Sequence, residues 1–157
     1  MTSSSASAQD IDHVAAELVA CLPALCRALD RRVDREFPHP KPPEAQLALL
    51  RLVHTQDGVT VREAADALLM RPNNVSALVT QMVGLGLLER RPDPADKRIA
   101  HLHPTALARQ RVTEVDRLMS AHLTEVLRAL TDGELDALGS AVGSLHSVNR
   151  LLHARTD

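Results

Sequence analysis

Apolar residues recur at threes and fours from the eleventh position onward. Ile11, Val14, Leu18, Leu22, Leu25, Leu29 and Val33 make one stripe, with Asp12, Glu17, Arg27, Asp30 and Arg31 off it. That is the period of an amphipathic helix. Pro23 interrupts the stripe and is a place for a kink. Between Glu36 and Pro43 four prolines remove donors and fix φ, so no helix continues there. A short, strongly apolar helix is predicted over Glu44 to Thr55, entered through Pro43-Glu44. Gln56-Asp57-Gly58 reads as a turn and Val59 as a strand fragment. Thr60-Val61-Arg62-Glu63 matches a capping box, so a helix should start at Val61 and turn Ala64, Ala65, Leu68 and Leu69 inward. Arg71-Pro72 ends it and opens another helix, to Leu85. Here Val75, Leu78, Val79, Met82 and Leu85 share one face, while Asn73, Asn74, Ser76, Ala77, Thr80 and Gln81 lie outward. Gly84 and Gly86 suit a left-handed cap.

Leu87 to Arg91 and Ile99 to His103 have the length of strands, joined by Pro92 to Arg98 as a hairpin loop. After Pro104 a helix of about 25 residues is predicted, since Gly and Pro are absent until Gly133. Its inward set is Leu107, Val112, Val115, Leu118, Met119, Leu123, Val126, Leu127 and Leu130. Thr131-Asp132-Gly133-Glu134 is a second capping-box match, opening a last helix with Leu135, Leu138, Val142, Leu145, Val148, Leu151 and Leu152. The order is that of a winged helix-turn-helix. The expected fold is therefore mainly α with a small β-wing, flanked by long N- and C-terminal helices.

Composition narrows this picture. The 157 residues suit one domain, and residues 1–10, small and polar, are expected to be a disordered tail. With one Phe and no Trp or Tyr, the core has to be aliphatic. Two cysteines, Cys21 and Cys26, fall about 140° apart around one helix, against an intrahelical disulfide; buried reduced thiols are expected. No run is long and apolar enough to span a membrane and the start lacks a signal-peptide pattern, so a cytoplasmic protein is expected.

A net charge of −2 means that any attraction to phosphate must be local. From Leu87 to Arg111 six basic residues (Arg90, Arg91, Lys97, Arg98, Arg109, Arg111) face three acidic ones, a local +3. Asparagine can bond adenine bidentately in the major groove, and hydroxyls can meet phosphates or base edges. Arg71, Asn73, Asn74, Ser76 and Thr80 on the second short helix are the candidate groove residues. Arg90, Asp96, Lys97 and Arg98 on the hairpin would set cations beside phosphates or an arginine in the minor groove, with Asp96 holding the Arg98 guanidinium.

Leu68-x₉-Leu78 leading into MVGLGLLERRPDPADKR resembles the MarR family of bacterial regulators, whose members share a recognition helix, a G-L-x-x-R-x turn into strand and a D-x-x-D-x-R wing. The resemblance runs from Ile11 to His153, and its specific part is Asp93 to Arg98. It implies that Arg98 is the minor-groove residue and Asp96 its partner. Two departures stand out. Leu102-His103-Pro104-Thr105-Ala106 replaces the family's Leu-Thr followed by Gly, leaving the cap of the next helix open, and Ala77 stands where Arg is common.

Such a module binds double-stranded DNA as a two-fold dimer, with recognition helices roughly 34–36 Å apart on a pseudo-palindromic operator. Residues 44–103 would be the DNA-binding lobe of a single 11–157 unit, and 11–36 and 104–153 the dimerisation helices. The resemblance also implies a small-molecule effector between helices and lobe, near Phe37, His39 and His54; a rigid proline connector with surface histidines is the other reading. The function expected is a transcription regulator, a repressor released by a small ligand. The alternatives are a helical dimeric protein-interaction module, or a metal- or redox-responsive regulator. No cofactor, resident metal or catalytic constellation is expected, and an enzyme is not.

Overall fold

The computed structural model describes residues 8–154. Helix α1 (Ala8–Glu36) runs through Pro23 without a break. It starts three residues before Ile11, because Ala8 and Gln9 favour helix and Asp10 complements the dipole of the first turn. The expected tail therefore overlaps α1 at 8–10, and its remainder lies outside the described residues. After the prolines comes α2 (Glu44–Thr55), which buries Gln46, Leu47, Leu49, Leu50 and Val53.

The lobe continues with β1 (Val59–Thr60), α3 (Val61–Ala67), α4 (Pro72–Gly84), β2 (Leu88–Pro92) and β3 (Ala100–Pro104). The strands form one antiparallel sheet in the order β1-β3-β2. In the central strand, Leu102 pairs with Val59 on one side and Arg90 on the other. Leu102 is 0% exposed and packs with Val75, Val79, Met82, Leu87 and Leu88 in an aliphatic core. Both strands of the hairpin start one residue later than expected. Leu87 is occupied in ending α4, and the prolines Pro92 and Pro104 are tolerated because they terminate strands and need donate nothing further along the ladder.

Helix ends explain the other departures. At the close of α4 the Gly86 N–H bonds the Val83 carbonyl at 3.0 Å and the Leu87 N–H bonds the Met82 carbonyl at 2.9 Å. This is a Schellman cap with Gly86 left-handed at φ +69°. Leu85, expected inward, stands on the cap and is exposed. The turn between α3 and α4 uses the same device without glycine: Leu69 N–H to Asp66 and Met70 N–H to Ala65, with Leu69 at φ +53°. A left-handed leucine costs about 1–2 kcal/mol. That reversal points Leu69 out to solvent rather than inward, while Ala64 and Ala65 are buried as expected.

Both capping boxes form. Thr60 and Glu63 exchange bonds at the start of α3. Thr131 and Glu134 do the same before α6 (Asp132–Ala154). The cap of α5 (Ala106–Leu127) is Thr105, whose Oγ1 accepts the Ala108 N–H at 3.2 Å and donates to the Gly86 carbonyl at 2.8 Å.

Helix α5 buries Ala108, Val112, Val115 and Leu118 against the lobe and α1, then leaves the core. Leu123 and Val126, expected inward, are therefore exposed, and so is Leu107 in the first turn. Helix α6 has no buried residue. Its Leu135, Leu138, Val142, Leu145 and Val148 follow a helical spacing, and all stay exposed. The same is true of Ile11, Val14, Leu22 and Leu25 on α1. Cys21 and Cys26 are free and exposed, not buried, because this part of α1 extends beyond the lobe.

Because Leu102 fills the centre of the sheet with no exposed surface, Leu102→Ala should cost about 2–5 kcal/mol. Urea denaturation followed by circular dichroism checks this; a loss below that range would mean that the sheet core collapses around the gap.

Candidate nucleic-acid interface

Helix α4 enters with Arg71 as its N-cap residue and Pro72 in the first turn. The Arg71 carbonyl takes the N–H groups of Asn74 and Val75, at 2.9 and 3.2 Å. Inward Val75, Val79 and Met82 anchor the helix in the core. Arg71, Asn73, Asn74, Ser76, Ala77, Thr80 and Gln81 are consequently all exposed on one side.

The wing is joined to that helix through one arginine. Arg90 Nη2 on β2 donates to Thr80 Oγ1 at 2.9 Å and reaches the Ser76 carbonyl at 3.4 Å, while the Thr80 hydroxyl donates to the same carbonyl. Thr80 and Arg90 are thus engaged with each other, and their first effect is to fix the angle between helix and wing. Arg91 pairs with Glu89 at 3.0 Å.

Asp93 builds the hairpin loop. Its Oδ1 accepts the N–H groups of Ala95 and Asp96 at 2.7 and 2.9 Å, and its Oδ2 meets His101 Nε2 at 2.9 Å. The carboxyl is held down at about 2, first by His101 and then by those two N–H groups. Asp96 does not hold the Arg98 guanidinium as expected. Its side chain accepts the Arg98 backbone N–H at 2.9 Å, because a carboxylate two residues earlier in a tight turn meets the main chain before the end of a long side chain. Among the described residues no carboxylate pairs with the side chains of Lys97 or Arg98, which stay exposed at the tip.

Helix, wing and the start of α3 enclose a cleft of about 430 Å³ lined by Thr60, Arg62, Ser76, Arg90 and Arg98, with Ile99 as its apolar side. Three arginines lining one open cleft suit a phosphate-bearing chain. Arg62 escaped the reading of the sequence, where it was only the filler of a capping box. What brings it here is the pairing of β1 with β3, which no local pattern signals.

Residues 42–99 match the model of the MarR family. The part of the chain that is similar to the MarR family is thus most of the winged lobe. The described residues share the fold of MarR-type structures. RV1404 from Mycobacterium tuberculosis superposes with a TM-score of 0.79 at 16% identity, over 92% of this chain and 96% of that one. Streptococcus pneumoniae FabT in complex with DNA gives 0.74 at 16%, over 91% and 99%. A MarR family protein from Bacillus stearothermophilus gives 0.71 at 20%, over 88% and 97%. No curated protein matches the sequence.

Behind the winged lobe, Phe37, Pro38, His39, Leu107, Gln110, Arg111 and Glu114 line a smaller cavity of about 160 Å³. Phe37 and His39 meet there edge to face at 6.1 Å. His54 does not join them; it lies exposed in the last turn of α2. Glu114 is neutralised by Arg117 through bonds of 3.0 and 2.8 Å, which lower its pKa. Arg111 is different, with a buried Nε that has no hydrogen-bond partner among the described residues.

No group of three or more His, Cys, Asp or Glu among the described residues could hold a metal ion. His101 and His103, on one face of β3, are instead taken up by separate carboxylates, Asp93 and Asp57. No helix among the described residues is long and apolar enough to cross a membrane.

Proposed function

We propose that the chain is a homodimeric, cytoplasmic transcription regulator that binds a pseudo-palindromic operator as a repressor and is released by a small ligand. The observation that carries this is the cleft lined by Arg62, Ser76, Arg90 and Arg98, beside helix α4, which also exposes Asn73 and Asn74. Residues 44–103 act as the DNA-binding lobe within one unit spanning 11–157. In this reading the α4 face enters the major groove, Arg71 and Lys97 meet phosphates, and Arg98 reaches the minor groove. FabT, of the same fold, was solved in complex with DNA. Ala77 offers no polar group, so readout rests on the asparagines and on operator shape.

The dimer is supported by the exposed stripes of α1, the end of α5 and α6, within 11–36 and 104–153. Apolar rows of that length are stable in water only when covered. The ligand reading rests on the cavity beside α5. Its apolar side is Phe37, Pro38 and Leu107, and Arg111, whose Nε has no hydrogen-bond partner among the described residues, supplies a cation, so a small carboxylate suits it.

Fluorescence anisotropy against a duplex selected from a random-sequence library should give a Kd on the order of 10⁻⁸ M or tighter, weakening steeply with salt. Arg98→Ala should weaken every duplex and lower the salt slope by about one per protomer, whereas Asn73→Ala or Asn74→Ala should cost roughly 1–3 kcal/mol of discrimination at one base pair. Binding no tighter than to unselected DNA would leave a protein-interaction module as the better reading. In light scattering the chain should show twice its own mass, and Val142→Asp should halve that value; an unchanged mass would remove α6 from the interface. Small aliphatic or aromatic carboxylates should raise the thermal midpoint of the wild type and leave Arg111→Ala unmoved. An equal shift in both would place the ligand elsewhere.

A further inference from the structure

We propose that His101 is the positioning residue of the wing: as a doubly donating imidazolium it clamps the base of the hairpin to the turn before β1, so that one proton decides whether Arg98 is held in place. The ring lies between two groups that can only accept. Its Nδ1 is 2.6 Å from the Gly58 carbonyl oxygen, and its Nε2 is 2.9 Å from Asp93 Oδ2. A carbonyl has no proton to give. Asp93 cannot give one either, since its carboxyl, bonded by His101 and by the Ala95 and Asp96 N–H groups, stays ionised down to about 2.

Both ring nitrogens must therefore carry hydrogen, which only the charged imidazole does. A neutral ring keeps one N–H. If it stays on Nδ1, a lone pair faces the Asp93 carboxylate; if it stays on Nε2, a lone pair faces the Gly58 carbonyl. In either tautomer the link between the two segments is cut and partly repulsive.

The link matters because of what each end does. Asp93 is the acceptor that folds residues 93–96, and the loop from Asp93 to Ile99, closed by the Asp93 N–H on the Ile99 carbonyl at 2.9 Å, carries Lys97 and Arg98. Gly58, at φ +91°, is the hinge of the turn before β1, and its N–H bonds the Leu102 carbonyl at 2.9 Å. His101 thus joins the wing loop to a turn 43 residues earlier, on the side of the sheet away from the Arg90 link to α4.

Every charged group facing the ring can be named. Asp93 from the wing loop and Glu63 from α3 favour the cation. Glu63 is kept ionised first by the Thr60 backbone N–H and then by its hydroxyl. Arg91 sits opposite on β2 and opposes the cation, but its guanidinium is paired with Glu89. Two residues along β3, His103 meets Asp57, which also takes Arg109 from α5. The His101 pKa is raised accordingly, first by the Asp93 bond and then by the Gly58 carbonyl. The clamp is then complete below the ordinary imidazole range and is lost as pH rises through the raised value. Asp93 leaves the acid side open, since it stays ionised down to about 2.

The clamp can be tested on the full chain without DNA, and its consequence with DNA. Nitrogen-15 NMR of the His101 ring should show both nitrogens protonated past the ordinary imidazole midpoint of about 6.5, and Asp93→Asn should bring the titration down. Hydrogen exchange of residues 93–99, corrected for intrinsic rates, should accelerate as pH rises through the His101 midpoint. Affinity for the selected duplex should fall by about tenfold over the same interval. His101→Gln, with one donor group in place of two opposed ones, should bind weakly and without that pH step, whereas His103→Gln should keep the step. A His101 ring that titrates at or below 6.5, or loop protection unchanged across the midpoint, overturns the clamp. So does a step that survives in His101→Gln or vanishes in His103→Gln. The consequence for DNA rests on the proposed regulator reading: if no duplex can be selected while ring and loop titrate together, the clamp stands and that reading falls.

Discussion

The proposed reading head depends on β3 being the middle strand. A two-stranded hairpin is marginal in water, and the β2-β3 ribbon would swing freely if β1 did not pair on its other edge. Two residues of β1 are enough, because Val59 and Thr60 set Leu102 and His101 in register while Leu102 is sealed beneath. That short pairing places the first turn of α3 beside the wing and so gathers Arg62 with Arg90 and Arg98. It also carries the Gly58 carbonyl within reach of His101. From the opposite edge Arg90 ties the hairpin to α4 through Thr80. The wing is thus fixed at both flanks by polar bonds over an aliphatic base.

What could be read in the sequence was what is decided locally. Both capping boxes, the start of α4 at Pro72 and the left-handed Gly86 depend on neighbours within four residues, and each formed. The winged order followed from these together. Misreadings cluster where periodicity was extended past a helix end: Leu69 and Leu85 share the phase of an inward face but sit on reversals that point them outward. The roles of Arg62 and His101 were hidden because their neighbours are supplied by strand pairing. Asp96 was given the Arg98 guanidinium when the nearer main-chain N–H wins. Cys21 and Cys26 were expected buried because reduced thiols usually are, whereas the first half of α1 has no cover within the chain.

That last point bears on the whole molecule. Helix α6 has a regular apolar row and no buried residue, and the first half of α1 is in the same condition. Apolar area removed from water is worth about 25 cal/mol per Å², so sequences of this pattern are costly to leave uncovered. The aliphatic composition fits this use, since leucine and valine rows interlock on a partner helix without polar atoms to satisfy. In the proposed dimer these helices set the distance between the two recognition helices.

Helix α5 is the element through which these parts can act on one another. It is a rod of 22 residues, about 33 Å long, and it touches each of them. Its cap, Thr105, is bonded to the Gly86 carbonyl at the exit of α4. Arg109 in its second turn shares Asp57 with His103 of β3. Leu107 and Arg111 line the cavity beside Phe37. Further along, His122 is buried where α5 meets the end of α1, with Nε2 3.3 Å from Glu36 though not aligned as a hydrogen bond. In the proposed ligand reading, a ligand that draws Arg111 toward the cavity would pull on a helix whose N-cap holds α4 and whose far end leads into the proposed dimer arm. Because packed helices shift as units rather than bend, a small displacement at the cavity would, in that reading, become a change in where α4 points.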